Sequence, residues 1–165
     1  MDCKKLYGVV CASVTPMCAD GAVDYEGVRR LTRHLVGSGI HCLYPNGTNG
    51  ESLSLTRTER EEIARAIQAE NAGQAVLYIQ CGAATVEESY AHMRFAQRLG
   101  VDGAGLMTPV FFPMDDEAMR LFYDAILPSV RPMPVYAYNI PSRTGNDLSE
   151  ELEDLEADLY EDEDA

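Results

Sequence analysis

Residues 134–145 read PVYAYNIPSRTG, and this stretch of the chain decides the fold. A short apolar run ends abruptly at Tyr138 and Asn139, and a proline and Arg143 follow within a few residues. This order is typical of a buried parallel strand that delivers polar side chains to a site at its carboxyl end. The stretch therefore predicts a parallel sheet whose functional groups gather where the strands end.

Four more apolar runs lie upstream of this strand, and amphipathic segments separate them. The predicted strands are residues 7–14, 41–45, 75–81, 103–108 and 134–138. The predicted helices have apolar residues at three- and four-residue spacing and span residues 24–37, 56–71, 85–99 and 115–130. Regular alternation of strands and helices predicts an α/β protein with a parallel sheet and right-handed crossover connections.

Two of the helices begin with a capping-box pattern. Thr56 is followed three residues later by Glu59, and Thr85 is followed in the same way by Glu88. In such a box the threonine hydroxyl and the glutamate carboxylate each accept a hydrogen bond from a backbone N–H of the first turn. Both positions therefore predict helix starts.

Polar residues and glycines follow each predicted strand, which favours a barrel over an open sheet. The segments after the strands are Thr15-Pro16, residues 47–51, Gly82, Thr108-Pro109 and Tyr138-Asn139. A closed (β/α)8 barrel needs about 250 residues. We therefore expect residues 1–149 to form a partial TIM barrel of about five βα units, with the first and fifth strands as open edges. Residues 150–165 are expected to be an acidic helical or disordered tail.

Charge and cysteine usage limit the classes of function. The net charge is −14, but ten acidic residues lie in residues 150–165, and the rest of the chain has 17 acidic against 13 basic residues. No basic cluster is present, so we expect no nucleic-acid partner. No segment has the length of a membrane span, so no membrane partner is expected either. Five cysteines without a CxxC pair predict a cytoplasmic protein, and no metal or cofactor is expected.

A candidate anion site follows the second predicted strand. Residues 45–52, PNGTNGES, combine two glycines with Thr48 and Asn49 just ahead of a helix. The backbone N–H groups of Gly47 and its neighbours can hold a carboxylate, helped by the helix dipole if the loop leads into the helix. The alternative is an ordinary turn, because asparagine and glycine are common turn formers.

Two further side chains are candidates for chemistry at the end of the fifth strand. Tyr138 can transfer a proton if a hydroxyl such as that of Thr48 hydrogen-bonds its phenol. The alternative is a core tyrosine with a backbone partner. Arg143 can bind a carboxylate through two hydrogen bonds, and its alternative is an ordinary exposed arginine.

GTNGES at residues 47–52 and YNIPSRTG at residues 138–145 resemble two signature motifs of the dihydrodipicolinate synthase and N-acetylneuraminate lyase family. Their order and separation also match, and the likeness extends over about residues 7–149. The resemblance implies a (β/α)8 barrel, a homo-oligomer, and a lyase that uses pyruvate or a related 2-oxo acid through a Schiff base to a lysine. Its substrates are small molecules, pyruvate and an aldehyde.

The resemblance also implies roles for individual residues. Tyr138 corresponds to the catalytic tyrosine and Thr48 to its relay hydroxyl. Gly47, Thr48 and Asn49 correspond to the residues that hold the pyruvate carboxylate. Arg143 corresponds to the residue that binds a carboxylate of the second substrate, and the SRTG ending favours the synthases over the neuraminate lyases.

Three departures from the family pattern qualify this expectation. Asn49 stands where the family has a second threonine, and Phe111 stands where the synthases have a proton-carrying tyrosine. The family's lysine ends a sixth strand, whereas the only lysines in this sequence are Lys4 and Lys5. We therefore expect an aldolase-type lyase truncated before its Schiff-base lysine and inactive alone. The alternatives are a non-catalytic half-barrel that binds or assembles, and one half of a split aldolase completed by a C-terminal half-barrel chain.

Overall fold

The computed structural model describes residues 6–149, which form a five-stranded parallel sheet with helices. The strands lie in sequence order, so each βα unit places its strand beside the preceding one. Their bounds are β1 Val10–Cys11, β2 Cys42–Leu43, β3 Val76–Gln80, β4 Gly103–Met107 and β5 Val135–Tyr138. This architecture confirms the α/β fold class. The acidic tail and both lysines lie outside the described residues.

Helices connect consecutive strands, as crossovers between parallel strands require. They are α1 Tyr25–Gly37, α2 Arg57–Asn71, α3 Val86–Leu99 and α4 Asp116–Ile126, with a one-turn helix α5 Pro141–Thr144 after β5. The 3-10 segment Ser52–Ser54 precedes α2, and a second 3-10 segment, Leu127–Val130, follows α4. No helix in residues 6–149 combines the length and the apolar character that crossing a membrane requires.

The helix starts follow the caps in the sequence. At α2 the Thr56 hydroxyl accepts a hydrogen bond from the Glu59 N–H, and the Glu59 carboxylate accepts one from the Thr56 N–H at 2.8 Å. This is the complete capping box that the sequence predicts. At α3 only half of the predicted box is present among the described residues: the Thr85 hydroxyl accepts from the Glu88 N–H at 3.2 Å. Satisfied N–H groups fix both helix starts.

The sheet separates two apolar layers because side chains alternate along each strand. Leu43, Leu77 and Leu106 belong to the main core with the helices, where all three are buried. On the opposite face Cys42 and Tyr78 form a smaller cluster with Val76, Leu6 and Tyr44. The second cluster occupies the face that a closed barrel would enclose.

The predicted strands were too long at the first two positions. Only Val10–Cys11 and Cys42–Leu43 pair as strands, although the apolar runs cover residues 7–14 and 41–45. Gly8 has φ of +62°, a left-handed conformation that a strand cannot continue, and Pro45 has no N–H to donate to a ladder. Hydrophobicity predicted the strands correctly, whereas backbone geometry limits their length.

The fourth helix is also shorter than its predicted range, residues 115–130. It ends at Ile126, and Leu127–Val130 continues as a 3-10 helix. Pro128 cannot donate an N–H to the preceding turn, which ends the α-helical hydrogen bonding. The apolar spacing alone does not reveal this change. The short helix α5 was not predicted.

Candidate active site

The turn after β2 is held in place by hydrogen bonds from two other segments. The Thr15 hydroxyl donates to the Gly50 carbonyl at 2.8 Å, and the Asn46 side chain donates to the Arg60 carbonyl at 3.1 Å. Asn46 and Glu51 adopt left-handed backbone conformations, with φ of 60° and 54°. The segment that follows β1 therefore fixes the turn on one side, and α2 fixes it on the other.

This turn presents unpaired donors. Among residues 6–149, the backbone N–H groups of Thr48 and Asn49 donate no hydrogen bond, and the Thr48 hydroxyl has no partner. Thr48 is half-buried, whereas Gly47 is buried and Asn49 is exposed. The Asn49 side chain donates to the Ala12 carbonyl at 3.3 Å. Adjacent free N–H groups of this kind suit an anion.

The condition for a helix-dipole contribution, a loop that leads directly into a helix, is not met. The turn leads into the three-residue 3-10 segment Ser52–Ser54, and α2 begins only at Arg57. The dipole of a helix acts within about its first turn, so α2 is too far along the chain to polarise this site. Any anion binding at the turn has to come from its own N–H groups and from nearby charge.

A pocket of about 190 Å³ brings the turn and the end of the described barrel together. Thr48 from the turn and Arg143 from α5 both contribute to its wall. The other lining residues are Glu51, Ser52, Leu53, Ser54, Met107 and Val110. The pocket therefore joins segments that follow β2, β4 and β5, at the carboxyl ends of the strands.

The pocket has one charge of each sign. Glu51 and Arg143 both line it, yet within the described part of the chain Arg143 forms no ion pair. The Arg143 side chain is exposed. A guanidinium without a carboxylate partner can bind an incoming carboxylate through two hydrogen bonds.

Tyr138 lies at the same end of the sheet. It is the last residue of β5 and pairs in register with Met107, which lines the pocket. Its half-buried ring meets the ring of Tyr44 edge-on, with 5.8 Å between ring centroids. In the described residues no hydrogen bond joins its phenol to the Thr48 hydroxyl. The proton relay between the two groups remains a prediction.

Tyr44 is a site residue that the sequence reasoning missed. Its phenol lies against β4, where a Cβ on Gly105 would collide with the hydroxyl. Burial raises the pKa of the Tyr44 phenol far above its usual value, with smaller contributions from Cys81 and Tyr138. The phenol therefore stays protonated beside Tyr138. The sequence signal that could have indicated this role is the alternation that puts Cys42 and Tyr44 on the same face of the sheet.

The sequence is similar to that of a known protein family and to individual members of it. A family model described as the dihydrodipicolinate synthetase family matches residues 5–157. A 4-hydroxy-tetrahydrodipicolinate synthase from Anaeromyxobacter dehalogenans is 37% identical over 145 residues, which is 88% of this chain and 48% of the synthase. An N-acetylneuraminate lyase from Citrobacter koseri is 34% identical over 146 residues, 88% of this chain and 49% of the lyase.

A solved structure extends the comparison to three dimensions. YagE, a prophage protein of the dihydrodipicolinic acid synthase family from E. coli K12, was solved in complex with pyruvate. It matches with a TM-score of 0.86 at 28% identity, over 92% of this chain and 51% of YagE. The five strands thus correspond to about half of a larger protein of the same fold.

The fold is a partial (β/α) barrel with a pocket at the carboxyl ends of its strands. The family model covers more than nine tenths of the sequence. The chain belongs to the dihydrodipicolinate synthetase family, as the two motifs predicted. It spans about half the length of the curated relatives that it matches.

Proposed function

We propose that this chain supplies the carboxylate-binding turn, the tyrosine and the arginine of a pyruvate-handling lyase site. The observation that carries the proposal is the shared pocket: Thr48 and Arg143 line it together, and Tyr138 ends the neighbouring strand. Two family motifs far apart in the sequence thereby supply groups at one end of the sheet. The substrates would be pyruvate, or a related 2-oxo acid, and an aldehyde.

Each group has a chemical task in this proposal. The N–H groups of Thr48 and Asn49 and the Thr48 hydroxyl hold the carboxylate of the 2-oxo acid. Arg143 binds a carboxylate on the aldehyde. The Tyr138 phenol exchanges a proton with the substrate oxygen, for which it needs a hydrogen-bonding partner. The YagE complex with pyruvate supports this choice of ligand.

The 165-residue polypeptide lacks a credible amine for covalent catalysis. A Schiff base forms when a primary amine attacks the ketone carbon and the resulting carbinolamine loses water. The only lysines in the sequence are Lys4 and Lys5, which precede β1, whereas the pocket lies at the carboxyl ends of the strands. An arginine cannot replace the amine, because its guanidinium stays protonated. We therefore propose that this polypeptide alone binds the 2-oxo acid without forming an imine.

The second candidate is half of a split enzyme, completed by βα units from outside these 165 residues. In the described sheet β1 pairs only with β2, and β5 pairs only with β4. Both edges therefore have backbone groups that further strands can pair. The exposed faces of Tyr7, Val10 and Tyr136 also favour an assembled state, either a homo-oligomer or a complex with a complementing half-barrel. We place the protein in a reducing, cytoplasmic compartment, because Cys42 and Cys81 are free thiols.

Borohydride trapping and a binding titration test the proposal together. The chain is incubated with pyruvate and sodium borohydride and analysed by mass spectrometry, beside a full-length dihydrodipicolinate synthase as positive control. We expect an adduct on the synthase and none on this chain. Pyruvate titration followed by NMR should nevertheless shift the amide resonances of Thr48 and Asn49. A trapped adduct would overturn the inactivity, and unmoved amide resonances would overturn the carboxylate site.

A third measurement distinguishes half of a split enzyme from a non-catalytic binding protein. Light scattering gives the mass of the chain alone and after addition of a fragment with the remaining βα units of a related synthase. A complex that regains aldol activity supports the split enzyme. A homo-oligomer that binds pyruvate and ignores the fragment supports a non-catalytic binding protein instead.

A further inference from the structure

A single buried amide joins the two segments that form one wall of the pocket. Asn146 follows α5, and its side chain reaches the loop between β4 and α4. The Asn146 Nδ2 donates to the Pro109 carbonyl at 2.8 Å and to the Phe112 carbonyl at 2.9 Å. The Asn146 Oδ1 accepts from the Met114 N–H at 2.8 Å. The loop is therefore bound at three points along its length.

This amide directs both of its donors and one acceptor position to the loop. Both Nδ2 protons have a partner, Oδ1 has one, and the residue is only 4% exposed. A buried group that satisfies all its donors holds its partners in one geometry, because any displacement leaves polar atoms unpaired. No hydrophobic residue at this position could replace the three bonds.

The loop needs such support because part of its backbone is in an unfavourable conformation. Phe111 has φ of 83°, and its ring is 84% exposed, so packing of its own side chain does not stabilise it. The Phe111 N–H donates to the Thr144 carbonyl at 3.3 Å, which is the fourth bond between the two segments. A non-glycine residue with positive φ persists only where its surroundings impose it. Here Asn146 and Thr144 impose it.

We propose that Asn146 is a positioning residue that sets the distance between Val110 and Arg143 across the pocket. Val110 comes from the loop that Asn146 binds, and Arg143 comes from α5, three residues before Asn146. The three hydrogen bonds of Asn146 to the loop, which we call the Asn146 clamp, thereby orient Arg143 toward a second carboxylate on the ligand. This step rests on the proposed function for the 2-oxo acid ligand and for carboxylate binding by Arg143.

Two 2-oxo acids test the placement of Arg143. Pyruvate has one carboxylate, whereas 2-oxoglutarate has a second that can reach Arg143. We expect Arg143→Gln to lower the affinity ratio of 2-oxoglutarate to pyruvate about tenfold, as the loss of a charged hydrogen bond implies. Asn146→Ala should lower the same ratio several-fold, and the double variant should fall no further than Arg143→Gln. The proposal would be overturned if the ratio of the affinities for 2-oxoglutarate and pyruvate were the same in the wild type and in Asn146→Ala.

Asn71 provides a matched control for a merely structural effect. It is also buried, and its side chain makes two hydrogen bonds with Ala75, at 2.7 and 2.9 Å, after α2. Asn71→Ala should therefore destabilise the fold without changing the affinity ratio. If Asn146→Ala does not fold, Asn146→Asp keeps an acceptor for Met114 and replaces the two donors by a carboxylate oxygen that faces the Pro109 and Phe112 carbonyls. A ratio lowered equally by Asn71→Ala would overturn the positioning role.

Proteolysis keeps the test independent of ligand binding. Chymotrypsin cleaves after phenylalanine except before proline, so its target in this loop is the bond between Phe111 and Phe112, which are exposed at 84% and 68%. Loss of the clamp should accelerate native-state cleavage at this loop about tenfold in Asn146→Ala or Asn146→Asp, and not in Asn71→Ala. If the wild type binds neither 2-oxo acid, the proposed function fails and the cleavage rates alone decide on Asn146. Unchanged cleavage in the Asn146 variants would overturn the clamp.

Discussion

The Tyr44 hydroxyl occupies the space that a Cβ on Gly105 would need, so β4 can pass the ring of Tyr44 only with a glycine at this position. Two residues earlier on β4, Gly103 has the same relationship to the ring of Tyr78. Both tyrosines belong to or pack on the apolar cluster opposite the helices. The alternate glycines of β4 thus make room for two rings at the centre of the partial barrel.

Substitution of Gly105 by alanine should destabilise the fold and displace the Tyr44 ring. Overpacking a dense core costs about 1–3 kcal/mol, and the atoms that a Gly105 Cβ would meet first all belong to the Tyr44 side chain. The free energy of unfolding, measured by urea denaturation, should fall by that amount. Tyr44→Phe removes the colliding oxygen, so the double variant should recover part of the loss.

Gly37→Ala is the control for this prediction. Gly37 ends α1, and a Cβ there would have no atom within 4 Å. A helical glycine replaced by alanine gains up to about 1 kcal/mol from backbone entropy. If Gly105→Ala is tolerated as well as Gly37→Ala, the steric relationship with Tyr44 does not hold in solution.

The fold was predictable because its main signals are local. Apolar runs, helical spacing and the Thr56 capping box give element type and order directly from the sequence. The alternate glycines Gly103 and Gly105 are visible in the sequence, but the rings that they face are not. Tyr44 is 61 positions before Gly105, so nothing in the local pattern connects them. Contacts between distant strands depend on register, which a single sequence does not specify.

Arg60 provides a second test of the packing beneath the site. It is only 3% exposed and donates to the Gln80 carbonyl at 2.9 Å and to the Gly82 carbonyl at 3.3 Å. Burial lowers the pKa of the guanidinium. Arg60→Ala removes the guanidinium from both carbonyls at the end of β3, and the Gly82 carbonyl keeps only the Gln80 side chain as a donor, at 3.4 Å. The free energy of unfolding should therefore fall by about 2–4 kcal/mol.

The neighbouring Arg57 on the same helix is the matched comparison. Its side chain is half exposed and pairs with Glu61 on the surface. Exposed ion pairs contribute little, so Arg57→Ala should change stability by less than about 1 kcal/mol. Similar denaturation midpoints for the two variants would show that the buried hydrogen bonds of Arg60 are not structural anchors.

His92 predicts a loss of stability in mild acid. Burial lowers its pKa to about 4, helped by the positive charges of Arg60 and Arg57 and opposed by Glu61. The unfolded chain protonates near pH 6.5, where folded His92 remains neutral. Below that pH the unfolded state binds the extra proton, so stability falls with decreasing pH and levels off below about 4. Once His92 is protonated in both states, its titration has lowered the free energy of unfolding by about 3 kcal/mol.

Denaturation at pH 7 and at pH 4.5 measures the effect of His92. His92→Gln removes the titrating group, so the variant should lose less stability between the two pH values than the wild type. The carboxylates titrate in both proteins and cancel in the difference. An unchanged profile in His92→Gln would contradict the assignment.

The site was less predictable than the fold. The two motifs single out Thr48, Tyr138 and Arg143. In the structure Thr48 and Arg143 line one pocket, and Tyr138 pairs in register with Met107, which lines the same pocket. The sequence could not indicate that Ser52–Ser54 separates the turn from α2. It also could not indicate that Asn146 binds a loop more than thirty residues upstream. Side-chain contacts across loops depend on conformations that no local spacing encodes.

Thr48→Val tests the turn directly, because valine keeps the shape of threonine and removes only its hydroxyl. The structure leaves that hydroxyl without a partner in residues 6–149, so its loss should not weaken the fold. If it binds the carboxylate of a 2-oxo acid, the Kd for pyruvate should rise about five- to tenfold, the equivalent of one hydrogen bond of about 1 kcal/mol or slightly more.

Ser54→Ala is the control for the turn, since Ser54 lines the same pocket but lies beyond the free N–H groups. NMR titration with pyruvate should give the wild-type Kd for Ser54→Ala and the raised value for Thr48→Val. A comparable loss in both variants would mean that the pocket binds pyruvate through its general polarity. No loss in Thr48→Val would leave the backbone N–H groups as the binding donors, because they persist in every variant at this position.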